Sequence, residues 1–171
     1  PKLLSYYQRD TFEYAGGAGG YIDKYGYPFC RGRLFTPLEK DNSQYNDACE
    51  IFWATGAAMF VKANVWKQLG GLDSDFFAHM EEIDFCWRAK NAGYKVCYCP
   101  QSVVYHIGGG TLPPSSPFKT YLNFRNNFSL LFNESDYRIF VTILGLKDKD
   151  GDQLHLLFPK LKSKNGKAEF T

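Results

Sequence analysis

"HMEEIDFCWRAKNAGYKV", residues 79–96, changes its period part-way along. Up to Asn91 the apolar residues Met80, Ile83 and Trp87 recur at three- and four-residue steps, which the turn of an α-helix gathers with Phe76 onto one side. Beyond Gly93, "YKVCYC" alternates large and small side chains as a strand does. The stretch therefore predicts a helix over 80–92, stopped by Gly93 and followed by a strand. Glu81, Glu82 and Asp84 fall in the first turn, and Asp84 and Arg88, four apart, are expected to pair. Glu81, Asp84 and Arg88 share a side next to the apolar stripe and Glu82 points farther away, so the acidic faces are expected to look into solvent or a cleft. Clustered carboxylates raise one another's pKa, as a general base requires, while the positive end of the helix lowers it. An amphipathic helix with an acidic first turn is the ordinary alternative.

Working upstream, "EIFWATGAAMFVK" (residues 50–62) is an apolar run broken at Thr55–Gly56 and reads as a buried strand. Asn64 is placed to cap a short helix that Gly70 and Gly71 end. Residues 1–48 carry turn chemistry instead of periodicity. The run "GGAGG" neither follows a clear strand nor opens a helix, so it reads as ordered loop in preference to a phosphate cradle. Downstream, "SVVYHIGGGTLPP" is a short strand entering a glycine and proline loop, and residues 117–132 fit a helix with apolar residues at Leu122, Phe128, Leu131 and Phe132. "RIFVTILGL" and "QLHLLF" read as strands around the polar turn "KDKDGD", whose aspartates lack the spacing of an EF-hand loop, and the lysine-rich end is expected to fray.

At 171 residues, 18% of them aromatic, the chain has the size and apolar material of one folded domain. Twenty basic and 18 acidic residues leave a net charge of +2, so nucleic acid is not an implied partner. Five cysteines, two of them separated by one residue on a strand, suit reduced thiols in a cytoplasmic compartment. No membrane span or signal peptide is visible. "PKLL" opens the chain without an initiator Met, and an upstream part is expected.

"ATGAAMFVKANVWKQLGGLDSDFFAHMEEIDFCWRAKNAGYKVCYCPQSVVYHIGGGTL" resembles the second half of the catalytic domain of family 2 glycosyltransferases, inverting enzymes with a GT-A fold. The likeness is strongest to a bacterial rhamnosyltransferase-like branch and extends to "EYAGGAGGYIDKYGYPFCRGRLF" and "KTYLNFRNN", covering about residues 1–132. It implies an α/β fold, the acceptor-side half of a GT-A domain with an incomplete sheet, over 1–132, and leaves 133–171 as a tail of unassigned role. The family's first half, with its strand-borne Asp-X-Asp metal motif, has no counterpart in this chain.

The resemblance implies that Glu82 is the general base, supported by Glu81 and Asp84, and that Trp53, Thr55, Gly56, Arg88, Gly108 and Gly109 line the substrates. Trp53 is the better candidate for stacking on a sugar; Trp87 reads as core. His106 matches a position that in some relatives ligates a divalent cation, Mg or Mn, beside Asp-X-Asp. The implied partners are a nucleotide-sugar donor and a glycan or lipid-linked acceptor for surface polysaccharide synthesis, with the full protein at the inner face of the membrane. This chain alone is expected to be inactive, and exposed strand edges to favour self-association. A non-catalytic carbohydrate-binding or interaction module is the competing class.

Overall fold

The computed structural model describes residues 1–34, 36–108 and 116–134, with two further short strands, 162–164 and 167–169. The strands are β1 (Lys2–Ser5), β2 (Gly20–Ile22), β3 (Pro28–Cys30), β4 (Cys49–Ile51), β5 (Val96–Tyr98), β6 (Val103–His106), β7 (Lys162–Lys164) and β8 (Lys167–Glu169). The helices are α1 (Ala63–Gln68), α2 (Glu81–Asn91) and α3 (Pro117–Glu134), and one-turn 3-10 segments lie at Gly56–Ala58 and Ser74–Phe76. The described strands pair two by two. β1 runs parallel to β6, with Leu4 opposite Tyr105, while β2–β3, β4–β5 and β7–β8 are antiparallel. This is an α/β arrangement of small sheets and helices, as expected.

Local chemistry accounts for several joints. The β2–β3 turn forms because Asp23 Oδ1 accepts from the backbone N–H groups of Tyr25 and Tyr27, and Gly26 supplies a positive φ of 79°. α2 stops where the sequence says it should, at Gly93 (φ 85°). β5 and β6 fall within the predicted strands.

Other expectations are corrected. The apolar run 50–62 is a strand only to Ile51 and then breaks into the 3-10 turn, where Thr55 Oγ1 accepts from Ala57 N at 3.4 Å. Asn64 is not a cap: it is the second residue of α1, whose N-cap, Lys62, makes no side-chain cap bond. A hairpin occupies the lysine-rich end expected to fray, and the strands predicted around "KDKDGD" lie outside the described residues.

Two apolar clusters hold these parts together. One gathers Cys30, Trp53, Phe76, Ile83, Cys86 and Leu130, and the other Leu4, Phe12, Ala18, Ile51 and Tyr98. The "GGAGG" run packs between them as a close-approach loop and not as a cradle. A Cβ on Gly20 would collide with the Trp53 indole, and one on Gly19 would lie 2.7 Å from Ile51 Cγ2. On α3 the buried residues are Leu122, Asn126, Leu130 and Leu131, so the packed face includes an amide that the expected apolar set did not. All five cysteines are free.

Candidate active site

The residues of interest converge at the start of α2. Phe77, His79 and Met80 have φ values of 60°, 70° and 72°, the left-handed region that side chains other than glycine rarely adopt. Each such residue costs on the order of 1–2 kcal/mol, so the surroundings must hold the turn in place. α3 does this. Asn126, 1% exposed, donates its amide Nδ2 to the carbonyls of Phe76, Ala78 and His79 at 2.8, 2.8 and 2.6 Å. Arg125 Nη2 donates to the carbonyls of Asp75 and Phe76, both at 2.9 Å.

From this turn Glu82 is carried inward. Its carboxyl lies beside Gly56, where an added Cβ would come 3.7 Å from Glu82 Cβ, and its Oε2 is buried without a hydrogen-bond partner. Burial, with a smaller contribution from the charge of Glu81, pushes the Glu82 carboxyl up to about 7, while the backbone N–H groups of Glu82 and Gly56 pull it down. Glu81 Oε2 and His79 Nε2 are also buried and unpartnered. Burial, and then Lys119, holds the His79 imidazole below its ordinary pKa. Three polar atoms with free hydrogen-bonding capacity thus surround one turn, and one belongs to a carboxyl whose proton affinity suits base catalysis at neutral pH.

The expectation that the acidic faces look outward is corrected for Asp84 and Glu82. Asp84 is 2% exposed and its Oδ2 meets Arg88 Nη2 at 2.7 Å, which confirms the predicted pair but inside the protein. Arg88 also donates to the carbonyls of Leu69 and Gly71 at 2.6 and 2.9 Å, so it fastens α2 to the end of α1 and is committed away from a substrate. Trp53 is 5% exposed, with its indole against Gly20 and its Nε1 donating to Tyr21 O, which leaves no open face for a sugar. Trp87 packs edge-on against Phe52, in keeping with a core role. Thr55 is buried under Gly16, where a Cβ would lie 2.8 Å from Thr55 Cβ; Gly56 is the one of this pair that faces Glu82.

His106 ends β6. Its Nδ1 lies 3.4 Å from Glu13 Oε2, and a Cβ on Gly108 would lie 3.0 Å from Glu13 Oε1. The loop that Glu13 begins runs through Gly16 onto Thr55, which links this corner to the Gly56–Glu82 contact. Among the described residues no three His, Cys, Asp or Glu side chains cluster as a metal site. Gly109 lies outside the described residues. A cavity of about 700 Å³ runs beside α2, lined by Thr55, Met59, Phe85, Cys86 and Tyr98 among others; Glu82 does not line it.

Residues 41–127, just over half of the 171, match the glycosyltransferase-like family 2 profile. The chain belongs to this family. The family 2 match takes in the whole of α1, α2 and the Glu82 turn. Among curated proteins the chain is similar to the low-salt glycan biosynthesis hexosyltransferase Agl10 of Haloferax volcanii, 32% identical over 63% of this chain and 36% of that protein. It is also similar to the N-acetylglucosaminyl-diphospho-decaprenol L-rhamnosyltransferase of Mycobacterium tuberculosis, 33% identical over 33% of this chain and 18% of that protein. The rhamnosyltransferase WbbL of Escherichia coli is 31% identical over 46% of this chain and 29% of its own length. The matched region thus spans little more than a third of these relatives, or less. No solved structure matches the chain.

Asn126, Arg125 and Glu13 were not singled out from the sequence. Asn126 carried a readable signal: it falls four residues after Leu122 and four before Leu130, a polar residue on a buried stripe.

Proposed function

We propose that the protein containing this chain transfers a sugar from a nucleotide-diphosphate donor to a glycan or lipid-linked acceptor with inversion, and that this chain is the acceptor-side half of its GT-A catalytic domain. The observation that carries the reading is the Glu82 carboxyl, buried, with a free oxygen and a pKa of about 7, inside the region that matches the family. Glu82 accepts the proton of the acceptor hydroxyl. The acceptor oxygen bonds to the anomeric carbon as the bond from that carbon to the diphosphate oxygen breaks, and the nucleotide diphosphate leaves with the bonding electron pair. Attack from the face opposite the leaving group inverts the configuration.

Glu81 and His79, whose buried Oε2 and Nε2 are free, orient the acceptor's hydroxyls; Asp84 acts through Arg88 to fix the helix that carries Glu82. A divalent cation, Mg or Mn, would neutralise the departing diphosphate, and His106 is the donor this chain would contribute. Its Nδ1 is buried, 3.4 Å from Glu13 Oε2 and without a hydrogen-bond partner, so Glu13 lies near enough to orient the ring but does not bond it here. Gly108, exposed beside Glu13, borders that corner. No helix among the described residues is long and apolar enough to cross a membrane. The name of the mycobacterial relative specifies a lipid-linked acceptor, which supports action by the full protein at the cytoplasmic membrane face.

The test is Glu82→Gln in the full-length enzyme. Transfer should fall by about 10²–10⁴-fold, the usual contribution of a general base, while nucleotide-sugar binding by calorimetry is retained. A variant that keeps most of its turnover removes Glu82 as the base, and one that binds sugar with no transfer in the wild type either favours the carbohydrate-binding class.

A further inference from the structure

We propose that Asn126, oriented by Arg125, is a positioning residue for transfer, holding the Phe76–Met80 turn in the conformation that buries the Glu82 carboxyl against Gly56. The proposal rests on the reading of Glu82 as the base. Four observations carry it. Three non-glycine residues in this turn have positive φ, so the turn does not hold itself. The Asn126 amide, with two hydrogens, serves three of the turn's carbonyls and is itself buried. Its Oδ1 accepts from Arg125 Nε at 2.8 Å, which fixes the amide with its nitrogen toward those carbonyls. Finally, Met80 makes no side-chain cap bond to α2, so the start of the helix takes its place from the turn and not from a cap of its own.

A clamp of this kind affects chemistry through distance. A base must lie within roughly 2.6–3.2 Å of the hydroxyl it deprotonates, and a displacement of about 1 Å can cost on the order of 10²-fold in rate. When the turn relaxes, Glu82 moves toward water, and both its aim and its proton affinity change together. The titratable groups facing this site are Glu81 and His79 on the turn side and Cys86 one helical turn along α2, with Lys119 acting on His79 from α3. Replacing Asn126 leaves all of them in place.

The experiment uses the full-length enzyme with Asn126→Ala, Asn126→Ser and Arg125→Lys, alongside Glu82→Gln. The expected result for each Asn126 variant is a loss of about 10- to 100-fold in kcat with the donor KM unchanged. The acid limb of the kcat/KM profile should also move from about pH 7 toward the ordinary carboxylate range. Arg125→Lys, which removes the Nε bond orienting Asn126 and the Nη2 bonds to the Asp75 and Phe76 carbonyls from a partly exposed position, should show the same shift in smaller degree and decides the matter if the Asn126 variants do not fold. An acid limb that stays in place, with activity lost only in proportion to folded protein by thermal melting, overturns the proposal. If Glu82→Gln retains turnover, the base assignment itself fails, a result separable from the Asn126 outcome because it appears in an enzyme whose clamp is intact.

Discussion

At the scale of the residue, the raised proton affinity of the Glu82 carboxyl comes at the expense of stability. Its carboxyl ionises in the folded protein at about 7, against an ordinary value of 4.5, because burial penalises the charge. Between those two values the folded state holds a proton that the unfolded state has released, so stability falls as pH rises across the window and is level above it. The full difference is on the order of 3 kcal/mol at most. Glutamine imitates the protonated acid, so Glu82→Gln should melt higher than the wild type at pH 8, and the two midpoints should converge near pH 4.5. Equal midpoints at pH 8 would mean that the carboxyl is solvated. Glu82 as the candidate base was legible from the acidic box, but its inward direction was not. A helical projection counts angles from one stripe, and the second wall here, Gly56, comes from a different segment.

At the scale of the element, α2 is a helix whose charged groups form part of its packing. The Asp84–Arg88 pair and the two carbonyls that Arg88 reaches tie it to the end of α1. Breaking a buried pair strands the remaining charge, so Asp84→Ala should lower the unfolding free energy by about 3–5 kcal/mol in a denaturant titration. A loss below about 1 kcal/mol would put the pair in the class of surface bridges. The extent of α2, its pair and its stop at Gly93 were readable because all of them are local: spacing, a four-residue offset and a residue free to adopt positive φ. The burial of Trp53 was not readable, because it depends on Gly20, a partner in a segment with no periodicity of its own. Strand β4 was read too long for a related reason. An apolar run reports burial, and beyond Ile51 the backbone leaves β5 for a single bridge between Trp53 and Gly20 without continuing the ladder.

At the scale of the whole molecule, the described strands form pairs and no wide sheet; residues 11–17 cover the outer edge of β1 and Trp53 bonds Gly20 of β2, and strands without such cover offer backbone N–H and C=O groups at their edges. The isolated chain should therefore self-associate: its sedimentation coefficient is expected to rise with protein concentration, and a constant monomer value over the range would count against open edges. The α/β class and the family were accessible from sequence because motif order survives in a linear string. The joining of α3 to the α2 turn was not, since it depends on Asn126 meeting carbonyls some fifty positions earlier. The pairing of β1 with β6 has a further consequence, for biosynthesis. Leu4 leaves the ribosome long before Tyr105, its partner across the parallel ladder, and at about 5–20 residues per second it waits roughly 5–20 s for that partner to be translated. Through that interval Leu4 has its nearby partners, the Phe12 bridge and the loop up to Gly17, while its β6 side stays open to nascent-chain chaperones.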